Sequence, residues 1–195
     1  MDMSENLLPI LLDIPESFET ERLLVRAARP GDGAEMNKAI GESLNELKPW
    51  MPFAQSMPAV EETEVYVRES RVAYLKRSTL NMLIFSKADG TYIGNIGLHH
   101  IDWDCRRFET GYWIRSSCAG NGYITEAVHG ITDFAIRELG AERIEIRCSA
   151  RNVKSAAVAE RAGFTLDGIL RKSTREADGE LHDSKVYAKV RGVEF

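Results

Sequence analysis

"CAGNGYITEA", residues 118–127, sets two glycines around an asparagine just before a stretch with helical periodicity. Glycine is a poor helix former and loses more backbone freedom on folding than any other residue. After it, Ile124, Ala127, Val128, Ile131, Ala135 and Leu139 recur at helical spacing, one face of a helix that Gly140 is placed to end. Before it, "RRFETGYWIR" (106–115) reads as an apolar, aromatic strand. A strand, a loop with Gly120 and Gly122, and a helix from Tyr123 present free amides at the positive end of a helix, where glycine lets an anion approach the backbone. The same residues also suit a tight turn that binds nothing. No Gly-Lys-Ser/Thr follows, which excludes a Walker loop, and Thr125 stands where a dinucleotide fingerprint wants its third glycine.

Outward from this loop the elements alternate irregularly. "RLLVRAA" (22–28) reads as a strand, and Asp32 as the cap of a helix whose Met36, Ile40, Leu44 and Leu47 share a face. "KPWMPFAQSMP" (48–58) is an irregular, aromatic loop, and residues 61–77 read as a second helix with Val65, Val72 and Leu75 turned inward. "LNMLIFSKADGTYIGNIGLHHI" (80–101) is a pair of strands joined at Ala88-Asp89-Gly90. "RIEIRCS" (143–149) alternates as a strand, Asn152 to Ala162 reads as a short helix closed by Gly163, and "FTLDGIL" and "LHDSKVYAKV" are strands across the Asp178-Gly179 turn. This is a mixed α/β (α+β) order with a mostly antiparallel sheet, since a doubly wound sheet would alternate strand and helix throughout.

Composition bounds the function. The chain has 195 residues, 44% hydrophobic and 28% charged, enough for one globular domain with its own core. A net charge of −5 disfavours direct nucleic-acid binding. Cys105, Cys118 and Cys148 form no C-x-x-C pair, so neither a disulfide framework nor a metal site is expected, and a reducing, cytoplasmic compartment is. The apolar run Leu7–Leu12, broken by Pro9, is far shorter than the ~20 residues of a membrane helix. Residues 1–18 therefore read as an extension that packs on the body or on a partner, and 19–195 as a single domain, with no membrane association.

Several motifs together carry a resemblance: "GYWI" ending a strand, "GNGY-T-EA" opening a helix, Asn152 and Ser155 as N-x-x-S, and "AGF" at 162–164, with "ETERLLVRAARPGD" and "NELKPWMPFA" upstream. In this order and spacing, from about Glu19 to Val190, the chain resembles the GNAT N-acetyltransferases, and among them the RimJ/RimL type that acetylates ribosomal-protein N-termini. The resemblance implies a GNAT fold with a splayed strand pair, helices on both faces of the sheet, and acetyl-CoA as co-substrate. It implies that pantetheine lies along Ile114 and Arg115, and that pyrophosphate sits on the loop of Ala119, Gly120, Asn121, Gly122, Tyr123, Ile124 and Thr125. It further implies that Asn152 contacts the cofactor and that Ser155 lies near the thioester sulfur. Two departures stand out. Ala119 and Ile124 hold the first and last places of the loop pattern Gln/Arg-x-x-Gly-x-Gly/Ala, and Ala159 stands where many family members carry a tyrosine acid.

The chemistry needs few groups: an amine attacks the thioester, a base removes its proton and thiolate leaves. Glu109 is the candidate base, or else a salt-bridged strand carboxylate. Ser155 is the candidate acid, or else a residue in the first turn of a helix capped by Asn152. His99 and His100 adjoin, so strand alternation sends them to opposite faces, with His100 a candidate for the acceptor side, or else a satisfied strand histidine. Glu176 is an alternative base or a surface-loop charge, and Trp50 a wall of the acceptor site or a lid on the core. The expected function is transfer of acetyl from acetyl-CoA to a primary amine, foremost the α-amino group of a protein. The alternatives are a small-amine enzyme (polyamine, amino sugar or aminoglycoside) and a non-catalytic acyl-CoA-binding module. A homodimer is left open.

Overall fold

The apolar stripe of Ile124, Ala127, Val128, Ile131, Ala135 and Leu139 is buried, as its periodicity requires. The computed structural model describes residues 8–195. Its strands are β1 (Ser17–Glu19), β2 (Leu23–Ala27), β3 (Leu80–Ser86), β4 (Tyr92–Asp102), β5 (Arg107–Ile114), β6 (Arg143–Ser149), β7 (Thr165–Arg175) and β8 (Leu181–Val190). The helices are α1 (Gly33–Leu47), α2 (Val60–Lys76), α3 (Tyr123–Leu139) and α4 (Val153–Arg161). One eight-stranded sheet runs β1-β2-β3-β4-β5-β6-β8-β7.

Every neighbouring pair is antiparallel except β5 and β6, which run parallel with α3 as the crossover. Their pairing covers Arg107↔Arg143, Phe108↔Ile144 and Glu109↔Glu145 and then stops, although β5 continues to Ile114 and β6 to Ser149. β6 stays paired with β8 along its length, so the sheet opens into a gap on one side of β5. The Arg115 N–H donates to Ile93 O at 2.8 Å. Alternation from that bond turns the main-chain groups of Gly111 and Trp113 toward β4, and those of Thr110, Tyr112 and Ile114 toward the gap.

Helices cover both faces. On β3, Met82 and Ile84 join a core with Phe108, Ile131, Phe134 and Ile144, whereas Leu83 joins Met36, Ile40, Leu47, Val67, Tyr92 and Trp113. No helix among the described residues is long and apolar enough to cross a membrane.

Three local expectations change. On α2 it is Thr63, Val67, Ser70 and Tyr74 that are buried, while Val65, Val72 and Leu75 are about half exposed. The inward stripe includes three hydroxyl residues, and Thr63 is held there by the Asn37 Nδ2 donor at 2.9 Å. Asp32 stands at the start of α1, but Arg26 and the Arg29 amide take its carboxylate, and Glu64 accepts from the amides of Gly31 and Gly33 instead. Strand β1 was not read from the sequence. It straddles the expected boundary at residue 18, and before it Ile14 is buried, Pro15 O accepts from Tyr74 Oη and Leu12 O from Arg77. Residues 1–7, with Leu7 of the apolar run, lie outside the described part.

Candidate active site

The glycine loop is a cradle of free amides. Gly120 and Gly122 have φ of +81° and +78°, the left-handed region that other residues rarely adopt. Asn121 Nδ2 braces the turn by donating to the carbonyls of Cys118 and Ala119. The first helical bond of α3 is Glu126 N–H to Gly122 O, so the amides from Gly120 to Thr125 have no main-chain acceptor among the described residues. A Cβ built on Gly120 meets nothing within 4 Å, so the space beside these amides is open. Tyr123 and Thr125 are partly exposed at the helix start, whereas the Ile124 side chain is buried in the core and offers only its amide.

Two expected members have their amides engaged within the protein. The Ala119 amide donates to Ser116 O in the preceding turn. Arg115 gives its N–H to Ile93 O and its carbonyl to Cys118, while its guanidinium binds Glu42 at 2.6 Å. Arg115 is therefore a strut between α1 and the loop. Its neighbour Ile114 keeps its main chain on the gap.

The structure adds a cation that no local motif signals. Arg22, at the start of β2, donates through Nε to Glu126 at 2.6 Å and through Nη1 to Asn121 O at 3.0 Å, and lies over the Tyr123 ring. Its Nη2 is 3.6 Å from where a Gly122 Cβ would stand. Positive charge thus reaches the loop from a residue about a hundred positions upstream, in place of the residue replaced by Ala119.

Across the gap, Asn152 Oδ1 caps α4 by accepting the Ser155 N–H at 3.1 Å, leaving its Nδ2 for other contacts. Ser155 Oγ is 3.1 Å from the Tyr112 hydroxyl. Burial pushes the Tyr112 phenol up to about 12, so at neutral pH it is a hydrogen-bond donor. The strand "GYWI" contains this tyrosine, and alternation from buried Phe108 could have placed it on the α3–α4 side. Glu109 points the other way, so Ser155 and Glu109 lie on opposite faces of the sheet and meet only through the gap.

Glu109 is not a free carboxylate. His99 Nε2 is 3.2 Å from its Oε1, His100 Nδ1 3.0 Å from its Oε2, and Arg147 Nε 3.4 Å from Oε2. Burial pushes its pKa up, but the hydrogen bonds from His99 and His100 outweigh this and hold it below the usual carboxylate value. Both imidazoles reach one side chain because His100 has φ +46° at a register shift between His99 and Asp102. That break in alternation corrects the expectation of opposite faces. Gly111 makes room for the His99 ring, since a Cβ there would fall 2.7 Å from His99 Cε1. His100, Arg107, Glu109, Glu145 and Arg147 line an open cleft of about 250 Å³ where the β5–β6 pairing ends.

Trp50 lines a second groove, about 310 Å³, with Pro49 on its side and Arg151, Ala177 and Asp178 opposite. Arg151 bonds both Glu176 and Asp178, and His182 bonds Asp178. Glu176, expected as an alternative base or a surface charge, is thus a buried partner of Arg151. The triads His99, His100, Glu109 and Glu176, Asp178, His182 have spacings a metal ion could use, but in each a guanidinium already faces the carboxylates.

A gap between parallel strands, with an amide cradle at the head of the crossover helix, fits a long thioester carrying phosphates. Residues 22–165 match the family model described as an acetyltransferase (GNAT) domain. The chain is a GNAT acetyltransferase. The ribosomal-protein-serine acetyltransferase of Escherichia coli (strain K12) is 30% identical over 149 residues, covering 76% of this chain and 78% of that protein. YdaF of Bacillus subtilis (strain 168), whose name assigns it provisionally to ribosomal N-acetylation, is 30% identical over 173 residues, 88% of this chain and 92% of its own. Among solved structures, the microcin C7 self-immunity acetyltransferase MccE with acetyl-CoA and AMP superposes with a TM-score of 0.83 at 22% identity, covering 90% and 97% of the two chains. RimL, the ribosomal L7/L12 α-N-protein acetyltransferase, in complex with coenzyme A gives 0.81 at 24%, covering 91% and 97%. These two establish the fold. As a GNAT acetyltransferase, the protein is an enzyme that takes its acetyl group from acetyl-CoA and transfers it to nitrogen.

Proposed function

We propose that the acceptor is the α-amino group of a protein chain. The observation that carries this reading is the charge balance of an open site. In the Trp50 groove Arg151 is shared by Glu176 and Asp178, which leaves one net negative charge, and in the Glu109 cleft Arg107 and Arg147 face Glu109 and Glu145. A polyamine or aminoglycoside would want an enclosed wall of unpaired carboxylates, whereas a peptide end with one charge needs an open groove and an aromatic wall. The names of the two curated relatives support the same class.

In this reading the amide cradle of residues 120–125 and Arg22 take the phosphates, and the main chain of Tyr112 and Ile114, beyond the last β5–β6 pair, receives the pantetheine arm. Asn152 lines the entrance through its Nδ2. The acceptor amine enters from the Glu109 face with Trp50 and His100 along its path, and its proton passes to the Glu109 cluster. Ser155, hydrogen-bonded to Tyr112, stands on the other side of the gap to donate to sulfur as thiolate leaves. Positioning in the gap supplies most of the acceleration.

The test is acetyl transfer from acetyl-CoA to a panel of N-terminal peptides, polyamines and aminoglycosides, with the acetylated atom located by mass spectrometry. Acetylation of peptide α-amines is expected. Turnover of small polycations alone would replace this reading with the small-amine one, and binding without turnover would leave an acyl-CoA-binding module.

A further inference from the structure

A left-handed residue and an occupied carboxylate at the same place call for one explanation. His100 holds φ +46°, in the left-handed region that few residues besides glycine adopt, although histidine enters it more readily than most. What this conformation achieves is geometric: it turns the His100 ring back onto Glu109, on the same side as His99, with the two rings 5.0 Å apart and edge to face. Without it the strand would carry His100 to the opposite face.

The hydrogen bonds then decide which atoms are basic. Glu109 is a carboxylate with a lowered pKa, so it only accepts. His100 Nδ1, 3.0 Å from Oε2, must therefore carry the proton of the neutral ring, which leaves the lone pair on Nε2. Oε1 is engaged by His99 and Oε2 is also faced by Arg147. Both carboxylate oxygens are thus engaged, and the same argument leaves one lone pair on each imidazole; that of His100 lies on the more exposed ring, 77% against 33% for His99, and on the one that lines the cleft.

We propose that His100 is the general base of acetyl transfer and that Glu109 is a positioning residue that holds its tautomer and orientation. This deepens the reading given under Proposed function and rests on it. In the step, the amine nitrogen bonds the acetyl carbonyl carbon and its proton passes to His100 Nε2. The C–S bond breaks with its electron pair leaving on sulfur, and the imidazolium afterwards returns its proton to water. Glu109 faces the transient positive charge on the ring, a division of labour that follows from carboxylate–imidazole pairs in general.

His100→Asn is the decisive variant, because asparagine tolerates the left-handed backbone and removes the ring. With a peptide acceptor at saturating acetyl-CoA, kcat is expected to fall about a hundredfold while the acetyl-CoA Kd stays within twofold, and added imidazole should restore part of the rate through the open cleft. Glu109→Gln is expected to lose rate as well, by favouring the wrong tautomer, but imidazole should not rescue it. A His100→Asn enzyme within twofold of wild type, or one insensitive to imidazole, would overturn the proposal and return the base to Glu109 or His99. Long-range proton–nitrogen NMR on the isolated protein reads the tautomer without any acceptor. Protonated Nδ1 is expected, and protonated Nε2 overturns the proposal even if the peptide reading stands. Failure of the wild-type enzyme on peptides, with Nδ1 protonated, removes the acceptor class and leaves the assignment to be read on whichever amine the panel turns over.

Discussion

Gly122 is where backbone conformation and ligand meet in one residue. Its φ of +78° costs a side-chain-bearing residue about 1–2 kcal/mol, and its amide belongs to the cradle. Gly122→Val should therefore leave a folded protein that binds coenzyme A at least tenfold more weakly by calorimetry, and unchanged affinity would sink the phosphate assignment. Ser155 and Tyr112 form a second pair of residue-scale predictions. If the serine donates to sulfur only as thiolate leaves, Ser155→Ala should lower kcat about tenfold to a hundredfold with little change in acetyl-CoA affinity. Tyr112→Phe should produce a smaller loss in the same direction, because the phenol, kept protonated by burial, acts through the serine. Equal rates in all three proteins would make the pair a packing contact.

At the scale of elements, the short hairpin of β1 and β2 is tied to the head of α3. Thr20 Oγ1, the Arg22 amide and Arg22 Nε all donate to the Glu126 carboxylate, and Arg22 also holds Asn121 O. Arg22→Met should raise the Kd for coenzyme A several-fold while leaving kcat/KM for acetyl-pantetheine, which lacks the phosphates, nearly unchanged. A parallel loss with both donors would mean that the hairpin only stabilises the fold. The orientation of α2 is open to an equally direct check. Val72→Lys, on its half-exposed side, should shift stability by no more than about 0.5 kcal/mol, whereas Val67→Ala, fully buried against α1, should cost about 2 kcal/mol in urea unfolding.

For the whole molecule, the joints between elements are carboxylates. Glu42 ties α1 to the turn before the cradle, and hydrogen bonds from Ser117 and then Arg115 lower its pKa to about 2. Glu126 joins the hairpin to α3, and Glu109 and Glu145 lie where β5 and β6 part. For these three burial pushes the pKa up, but partners outweigh it: Thr20 and Arg22, His99 and His100, and Arg143 and Arg147. A carboxylate whose folded pKa lies below its unfolded value of about 4.3 adds stability that is fully present above that value and is lost as pH falls toward the folded one. The urea midpoint should therefore stay level from pH 7 to 5 and drop below about pH 4, with Glu42→Gln removing part of the drop that extends toward pH 2. A midpoint independent of pH down to 3 would show that these joints do not hold the fold.

Local pattern was enough for much of this protein. The apolar period of 124–139, the glycines at 120 and 122 and the cap at Asn152 each act within one turn of chain, so the helices, the loop and the mixed sheet order could be read from residues alone. The face of α2 could not, because Thr63 and Ser70 are buried by partners on other elements while three apolar residues are left outside. Nor could the base. Alternation is a rule for regular strands, and the register shift at His100 sends both imidazoles to Glu109. Arg22 and Glu126 stand 104 positions apart, and only the packing of the hairpin on α3 brings that cation to the loop. Residue types and their spacing thus determined the scaffold and the loop proposed here for the cofactor phosphates. The charge partners that set which atoms gain and lose protons came from tertiary contacts, because electrostatic neighbours depend on distance in space and not on distance along the chain.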